Sequence, residues 1–358
     1  MKVVTIVGAR PQFIKAAAVS RAFAKEARID EVIIHTGQHF DKNMSDIFFE
    51  EMHIPKPNYL LDINSLAHGA MTGRMLEAIE KILKKEKPDY ILVYGDTNST
   101  LAGALAAKKM HIKVIHVEAG LRSFNMKMPE EVNRILTDRI SDILFCPTDI
   151  AIQNLTKEGF DNYECSIVKN GDVMEDAALY YAALAKDKSI LISDLGLSEN
   201  GYYLATCHRA ENTDKKENLE QIVNALNTIN KSMPVILPLH PRTKNALKKH
   251  DLKLDFDTIE PVGYFDMVEL IQNAKLVLTD SGGLQKEAFI FNKYCITLRE
   301  QTEWMELVNH QYNFLTGADF EKIIKAHQLL ENKSFVKNHN FYGGGTASEK
   351  IIETLMSS

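Results

Sequence analysis

Short apolar runs alternate with longer stretches of helical periodicity along most of this chain. Runs rich in β-branched and aromatic residues predict strands at 2–7, 31–35, 90–94, 112–117, 143–146, 166–169, 202–206, 234–239, 257–260, 276–279 and 294–298. Apolar spacing of three and four residues predicts helices between them, among others at 66–86, 99–109, 131–140, 217–231 and 283–291. Alternation of strands and helices is typical of parallel sheets built by right-handed crossovers.

The best-marked helix is the one predicted at 131–140. Pro129 sits at its start, and Glu130 and Glu131 occupy its first turn, where acidic residues are favourable. Its apolar positions are spaced to form one apolar stripe. They are Val132, Ile135, Leu136 and Ile140.

The length of 358 residues indicates two domains rather than one core. A turn at 170–172 follows the sixth predicted strand and marks a boundary. We therefore expect an α/β protein with two doubly wound Rossmann-like domains, 1–170 and 171–345, that face each other across a cleft. A helix at 346–358 follows a glycine-rich break and is expected to return to the first domain.

Composition excludes several classes of partner. A formal net charge of -6 offers no global attraction to nucleic acid or to an anionic membrane surface. No apolar stretch approaches the roughly 20 residues that span a bilayer, and the N-terminus lacks the pattern of a signal peptide. The four cysteines form no CxxC pair, so we expect reduced thiols and a cytoplasmic protein.

Polar residues follow several predicted strands, where ligands bind in open α/β sheets. In the turn after the first strand, Arg10 and Lys15 are placed to hold a phosphate at a helix start. Pairing of that arginine with a surface carboxylate is the alternative. The turn reads Gly-Ala-Arg-Pro rather than GxGxxG, so a nicotinamide dinucleotide is not predicted as a cofactor.

Three carboxylates stand near the ends of predicted strands of the first domain. Asp96 and Glu118 follow the third and fourth strands, and Glu130 begins the next helix. Carboxylates gathered in a cleft suit general acid and base catalysis. Asp96 could instead cap the helix that follows it, and Glu130 could serve only the helix dipole. Glu118, followed by Ala-Gly, has no such structural explanation.

The second domain carries its own strand-end motifs. Residues 281–283 read Ser-Gly-Gly between a strand and a helix, a turn that can bind a diphosphate, and Glu287 could bind ribose hydroxyls. His208 and His240 each follow a strand and each stand near an arginine, a pattern that favours an anion contact. His35 and His39 lack the glutamate of a zinc protease, so no metal site is predicted there or elsewhere.

Nine segments taken together resemble the non-hydrolysing UDP-N-acetylglucosamine 2-epimerase family. They are GARPQFIKAA at 8–17, TGQH at 36–39, GDTNST at 95–100, HVEAGLRS at 116–123, MPEEVNR at 128–134, HRAEN at 208–212, HPRT at 240–243, TDSGGLQKEA at 279–288 and YGGGTASEKI at 342–351. The resemblance implies a two-domain fold of the glycosyltransferase-B type and a homodimer. It also implies inversion at C2 of a UDP-N-acetyl sugar for surface polysaccharide, through loss and re-addition of UDP and without NAD or metal.

The resemblance also assigns roles to individual residues. The implied catalytic residues are Asp96, Glu118, Glu130 and His208. The implied UDP-binding residues are Arg10, Lys15, Val262, Met267, Ser281, Gly282, Gly283 and Glu287.

Three departures from the family pattern leave the sugar open. Position 210 is Ala where many members have a second arginine, Trp304 replaces a common arginine, and Met267 stands where an aromatic ring often packs on uracil. The Arg-Pro-Gln-Phe loop together with Trp304 resembles the branch acting on UDP-2,3-diacetamido-2,3-dideoxyglucuronic acid, for which Arg242 and Arg299 could bind the sugar carboxylate. A UDP-sugar-dependent glycosyltransferase and a non-catalytic UDP-sugar sensor are the rival functions.

Overall fold

The computed structural model describes residues 1–38 and 56–357. It contains two parallel sheets, and helices pack on each of them. The α/β class predicted from the alternation of apolar runs is confirmed. The chain divides into two compact units, Met1–Ala177 with Asn340–Ser358, and Ala178–His339.

The sheet of the first unit has seven strands in the order β3-β2-β1-β4-β5-β6-β7. They are β1 (Lys2–Val7), β2 (Asp30–His35), β3 (Tyr59–Leu60), β4 (Tyr90–Tyr94), β5 (Lys113–Val117), β6 (Ile143–Cys146) and β7 (Ser166–Lys169). The strand order reverses between β1 and β4, and ligands of doubly wound sheets bind at such a switch point. The polar residues that follow β1 and β4 therefore occupy the expected position for a site.

Helices cover both faces of this sheet. The helices of the first unit are α1 (Arg10–Phe23), α2 (His68–Glu86), α3 (Asn98–Lys109), α4 (Pro129–Ile140), α5 (Asp149–Lys157), a 3-10 turn (Phe160–Asn162), the start of α6 (Val173–Lys188), and α15 (Ala347–Ser357). The main core joins β1, β2 and β4 to α2 and α3, and α2 buries Met71, Met75, Ile79 and Leu83 at helical spacing. The C-terminal helix α15 packs on α1, and Asp176 accepts hydrogen bonds from two N–H groups of its first turn.

The sheet of the second unit has five strands in the order β12-β11-β10-β8-β9. They are β8 (Tyr203–Thr206), β9 (Val235–Ile236), β10 (Leu276–Thr279), β11 (Cys295–Thr297) and β12 (Asn313–Leu315). The switch point lies between β8 and β10. The helices of this unit are the rest of α6, α7 (Leu191–Asp194), α8 (Ala210–Thr213), α9 (Lys216–Asn230), α10 (Pro241–His250), α11 (Tyr264–Asn273), α12 (Gly282–Ile290), α13 (Met305–Asn309) and α14 (Phe320–Leu330).

Two strand predictions in this unit were too generous. The strand expected at 234–239 is only Val235–Ile236, and the one expected at 257–260 is reduced to a single bridge between Pro238 and Ile259. Pro238 lacks the N–H that would continue the ladder with β8, so β9 ends at Ile236. Ile259 still pairs with this segment, because its N–H donates to the Leu237 carbonyl at 3.2 Å and its carbonyl accepts from the Leu239 N–H at 2.8 Å.

The apolar stripe predicted for α4 is only partly buried. The helix begins at Pro129 as expected, and its fully buried residues are Glu131, Asn133, Thr137 and Asp138. Of the stripe, Ile140 packs against the apolar core, whereas Leu136 is 46% exposed. The side of α4 that faces the protein is therefore mainly polar, and apolar periodicity cannot reveal such a side.

Two further features are the lack of a membrane-spanning helix among the described helices and the state of the cysteines. Among the described helices, none is both long and apolar enough to cross a membrane. The four cysteines, all within the described ranges, are free thiols. Burial raises the pKa of Cys295 to about 12, which keeps that thiol protonated.

Candidate functional site

The turn after β1 requires a glycine and is tied to the end of β4. A Cβ atom at Gly8 would lie 2.1 Å from Thr36 Oγ1 and 2.2 Å from Ser99 Oγ. The buried Gln12 accepts hydrogen bonds from the two N–H groups after β1, at 2.9 and 3.1 Å. Its amide nitrogen donates to the carbonyl of Tyr94 at 2.9 Å. A glutamate at position 12 could not donate that bond, so the amide joins the two strands of the switch point.

Lys15 and Glu118 form an ion pair beside this turn. Their side chains are only 9% and 11% exposed. A Cβ atom at Gly95 would lie 3.2 Å from Lys15 Nζ and 3.3 Å from Glu118 Oε2, so the pair rests against the turn that follows β4. Lys15 is thus placed beside a carboxylate predicted to be catalytic. Arg10 is the first residue of α1, but its side chain lies outside the described part of the structure.

Glu118 has an unusual backbone conformation. Its φ angle is +71°, in the left-handed region that few residues other than glycine adopt. Such a conformation costs on the order of 1–3 kcal/mol and is commonly found at functional sites. The N–H of Glu118 donates to the carbonyl of Phe145 at 3.1 Å, which anchors the turn to β6.

Asp96 is ion-paired with Arg134 of α4. Arg134 also contacts Glu131 at 3.0 Å, and Asn133 donates to the Asp96 carbonyl at 2.9 Å. The alternative role for Asp96 as a helix cap is wrong, because Thr97 caps α3 and its hydroxyl accepts from the Thr100 N–H. The Asp96 side chain is therefore available for a role other than capping.

Glu130 and its neighbour Glu131 differ sharply. Glu130 lies in the first turn of α4 and is exposed. Glu131 is fully buried and accepts hydrogen bonds from the N–H groups of Ser123 and Phe124 at 2.9 and 2.8 Å. Glu131 thus holds the loop before α4, a structural role that its sequence position did not indicate.

A buried charged network below the Gly95 turn was missing from the sequence-based prediction. His116 lies 2.7 Å from both Asp138 Oδ1 and the carbonyl oxygen of Gly95. Asp138 Oδ2 accepts from Arg122 at 2.7 Å and from the Gly120 N–H at 3.2 Å. The loop that contains Glu118 is therefore held by the carboxylate of Asp138, 20 residues further along the chain. No local sequence pattern could reveal this contact.

In the second unit, His208 follows β8 and Asp280 follows the neighbouring β10. The fully buried Asp280 accepts hydrogen bonds from the N–H groups of His208 and Arg209 at 2.9 Å and from Asn212 at 3.1 Å. His208 Nδ1 lies 3.5 Å from Asp280 Oδ1. Burial lowers the pKa of His208, an effect that Asp280 opposes and His240 reinforces. His208 is consequently held as a neutral, partly exposed imidazole at the switch point.

The Ser-Gly-Gly turn opens α12 as predicted. The Ser281 hydroxyl accepts from the Leu284 N–H at 3.5 Å, a helix-capping contact. A Cβ atom at Gly282 would lie 2.4 Å from Glu303 Oε1, so the carboxylate of Glu303 lies close to this turn. Gly283 is exposed and has open space around its Cα. The N-terminus of α12 therefore presents backbone N–H groups to an anion.

The other UDP-binding residues predicted in the second unit are Glu287, Met267 and Val262, which lie on or just before helices α12 and α11. Glu287 lies in the second turn of α12 and is buried, with Tyr264 Oη 3.4 Å from its Oε1. Met267 lies on α11 and Val262 just before it, and both are half-buried. Glu287 and Met267 thus lie on two helices, α12 and α11, that pack against each other.

Trp304 and Lys286 form a pair behind the glycine turn. The Trp304 indole N–H donates to the Gly282 carbonyl at 3.0 Å. The ammonium group of Lys286 lies 4.0 Å from the centre of the indole ring, a cation–π contact between two buried side chains. Replacement of the common arginine by Trp304 therefore changes how the glycine turn is supported.

The two arginines considered for a sugar carboxylate differ in their contacts. Arg299 is paired with Glu303 at 3.0 Å and is mostly buried. Arg242 is half-exposed and lies 3.7 Å from Asp214. Arg242 is therefore the more accessible of the two cations.

Of the two histidines considered and rejected as a metal site, only His35 lies among the described residues. His35 is buried, and its ring centre lies 5.0 Å from that of Phe13, whereas His39 lies outside the described residues. Within 1–38 and 56–357, no group of three or more metal-binding side chains comes together.

A family model described as UDP-N-acetylglucosamine 2-epimerase matches residues 21–356. The chain is 56% identical over 357 residues to UDP-2,3-diacetamido-2,3-dideoxy-D-glucuronate 2-epimerase of Pseudomonas aeruginosa, with 99% of each chain covered. It is 46% identical over 372 residues to UDP-N-acetylglucosamine 2-epimerase of Methanocaldococcus jannaschii, again with 99% of each covered. The crystal structure of that archaeal enzyme with UDP-GlcNAc and UDP matches over 100% of both chains at a TM-score of 0.87 and 45% identity.

Proposed function

Since the chain belongs to the UDP-N-acetylglucosamine 2-epimerase family, we propose that it inverts C2 of a UDP-2-acetamido sugar by eliminating UDP and adding it back. Epimerases are isomerases, and the chain is an enzyme of that class. The observation that carries the proposal is the Lys15–Glu118 ion pair at the Gly95 turn, beside the switch point of the first sheet.

Inversion at C2 requires one group to remove the proton and another to return a proton to the opposite face of the sugar. Asp96 and Glu118 follow adjacent strands, and each forms an ion pair, with Arg134 and Lys15 respectively. We propose that these two residues, with Glu130, exchange the C2 proton and that His208 assists at the departing diphosphate. Either carboxylate could be the base.

The second unit is proposed to hold UDP. The N–H groups at Ser281–Gly283 would receive the diphosphate. Arg10 and Lys15 of the first unit remain proposed phosphate-binding cations. Glu287 would accept hydrogen bonds from the ribose hydroxyls, and Val262 and Met267 would flank the uracil. Binding of UDP that survives substitution in the first unit would support this division of labour.

The sugar is proposed to be the 2,3-diacetamido-2,3-dideoxy-glucuronate rather than GlcNAc. The relative at 56% identity carries that substrate in its name, and Trp304 with Lys286 supports the glycine turn in place of the arginine common in the family. A uronate adds one negative charge, which a half-exposed Arg242 could bind. A site that pairs a charged partner rejects the neutral analogue strongly, because that partner is left unpaired.

One experiment tests both the reaction and the sugar. The protein is incubated separately with UDP-GlcNAc and its diacetamido-uronic analogue in D₂O, with EDTA and without added nicotinamide, and H2 is followed by NMR. We expect deuterium at C2 and at least about a hundredfold higher kcat/KM for the uronate. Retention of hydrogen at C2 or loss of activity with EDTA contradicts the mechanism. Comparable efficiency on both, or a preference for UDP-GlcNAc, assigns UDP-GlcNAc as the substrate.

We also propose that the protein is a homodimer in the cytoplasm. Free thiols fit a reducing compartment. Three large apolar side chains on α4 and the loop before it, Phe124, Met126 and Leu136, are 77%, 61% and 46% exposed and could bury surface between two copies. Light scattering of the unsubstituted chain and of Leu136→Asp tests this, and a monomeric mass for the unsubstituted chain contradicts it.

A further inference from the structure

The fully buried histidine of β5 lies between two hydrogen-bond acceptors. His116 Nδ1 is 2.7 Å from Asp138 Oδ1, and His116 Nε2 is 2.7 Å from the carbonyl oxygen of Gly95. A carbonyl oxygen can only accept, so Nε2 must carry a hydrogen. The state of Nδ1 then depends on whether Asp138 is a carboxylate or a carboxylic acid.

The other contacts of Asp138 favour the carboxylate. Its Oδ2 accepts hydrogen bonds from the Arg122 guanidinium at 2.7 Å and from the Gly120 N–H at 3.2 Å. The guanidinium and the N–H group donate to Asp138 whatever the state of the ring, and both favour its carboxylate form. A carboxylate oxygen facing Nδ1 requires a hydrogen there too.

We infer that His116 is a buried imidazolium and that it is a positioning residue for the Gly95–Asp96 turn and for Glu118. The inference rests on the proposed epimerase function. The charged ring donates to Gly95 from below, while the Lys15–Glu118 pair rests against the same glycine. Loss of the ring charge would loosen the turn on which the two proposed catalytic carboxylates depend.

The remaining charged groups around the ring complete a closed network. Arg122, in the loop after β5, also forms two hydrogen bonds to Glu158 at the end of α5, at 2.6 and 2.9 Å. From α4, Asp138 faces the ring itself, while Arg134 pairs with Asp96. Each cation thus has a carboxylate partner, and His116 as an imidazolium balances Asp138.

The variant Asp138→Asn removes the carboxylate that faces the ring, and with it the charge that Asp138 offers to Arg122. An asparagine has the same shape and can still accept from Arg122 and Gly120, but its NH₂ group donates toward Nδ1 and so favours a neutral ring. Asp142→Asn is the matched control. Asp142 accepts from Lys108 at 2.7 Å and from the Val114 N–H at 2.8 Å, and so holds the start of β5 rather than its end.

The first measurement is the protonation of the ring. With ¹⁵N-histidine in the full chain, His116 is assigned by its loss in His116→Gln. We expect both ring nitrogens of His116 to carry a hydrogen in the unsubstituted protein, and one of them to lose its hydrogen in Asp138→Asn. A singly protonated His116 in the unsubstituted protein overturns the inference, whether or not the protein turns over a sugar.

The second measurement is steady-state kinetics on the sugar that the unsubstituted protein epimerises. We expect kcat of Asp138→Asn to fall by about 10–100-fold with KM changed by less than about threefold, because small displacements of catalytic groups cost up to about a hundredfold. Asp142→Asn should retain kcat. Equal losses in both variants, or an unchanged kcat in Asp138→Asn, overturn the positioning role. Absence of turnover in the unsubstituted protein counts against the proposed function instead, and the ring spectrum then decides the charge state.

Discussion

Replacement of Glu118 by glutamine is the most direct test of the site in the first unit. The change keeps the shape of the side chain and removes its charge and its ability to take up a proton. Glu118 is mostly buried, paired with Lys15, and held in a left-handed backbone conformation that glutamine can adopt equally well. The backbone hydrogen bond to Phe145 is unaffected by the change. The substitution therefore alters the chemistry more than the fold.

The expected loss follows from the role. A positioned acid or base contributes about 10²–10⁴-fold to the rate, or roughly 2.7–5.5 kcal/mol at 1.36 kcal/mol per factor of ten. Loss of the ionic partner of Lys15 should cost about 1–3 kcal/mol of folding stability, because the amide oxygen can still accept a hydrogen bond. The fall in kcat should thus appear in a protein that is still folded.

The assay compares kcat, UDP affinity and unfolding in two variants. Glu86→Gln is the matched control, since Glu86 pairs with Lys2 at 3.1 Å and its side chain is 14% exposed, against 11% for Glu118. We expect Glu118→Gln to lower kcat by at least a hundredfold while UDP affinity by calorimetry weakens less than about threefold. A folded Glu118→Gln within tenfold of the unsubstituted kcat would refute the catalytic role. A similar loss in Glu86→Gln would show that any broken ion pair has this effect.

Three further predictions concern pH and regulation. Burial raises the pKa of Glu31 above its unfolded value despite a hydrogen bond from Thr5, so its contribution to stability is full at acid pH and is lost as the pH rises through the folded pKa. Glu31→Gln should therefore raise the melting temperature more at pH 8 than at pH 4, and an equal shift by calorimetry at both would contradict this. Because the pKa of His208 is lowered chiefly by burial, the acid limb of kcat/KM should lie below about pH 6.5, and a limb above pH 7 excludes His208 as its source. The exposed Ala210 offers a diphosphate no cation, so the rate curve should be hyperbolic without an activator, and a sigmoidal curve would refute it.

The strand-end motifs could be predicted because each follows a fully apolar run. The turns at Gly8, Gly95 and Gly282 lie where the sequence placed them, since a buried parallel strand has a clear beginning and end. The start of α4 at Pro129 was also predictable from local chemistry. Local signals of this kind determine where elements end and hence where a site lies along the chain.

The supports of the site could not be predicted in the same way. Asp138 acts on a loop that precedes it by about 20 residues, and Gln12 reaches the end of a strand more than 80 residues away. Neither residue differs in sequence from an ordinary polar surface residue.

The polar inner side of α4 has a consequence for the outer surface of the first unit. The fully buried residues of α4 are Glu131, Asn133, Thr137 and Asp138. Asn133 and Asp138 hold the loops of Asp96 and Glu118, so they cannot be exchanged for apolar residues without release of the site. Of the apolar residues of α4, Ile140 packs against the core, whereas Leu136 is exposed. Exposed apolar surface on such a helix is best stabilised by burial against another chain. The polar inner side of α4 would therefore account both for the support of the site and for the proposed self-association.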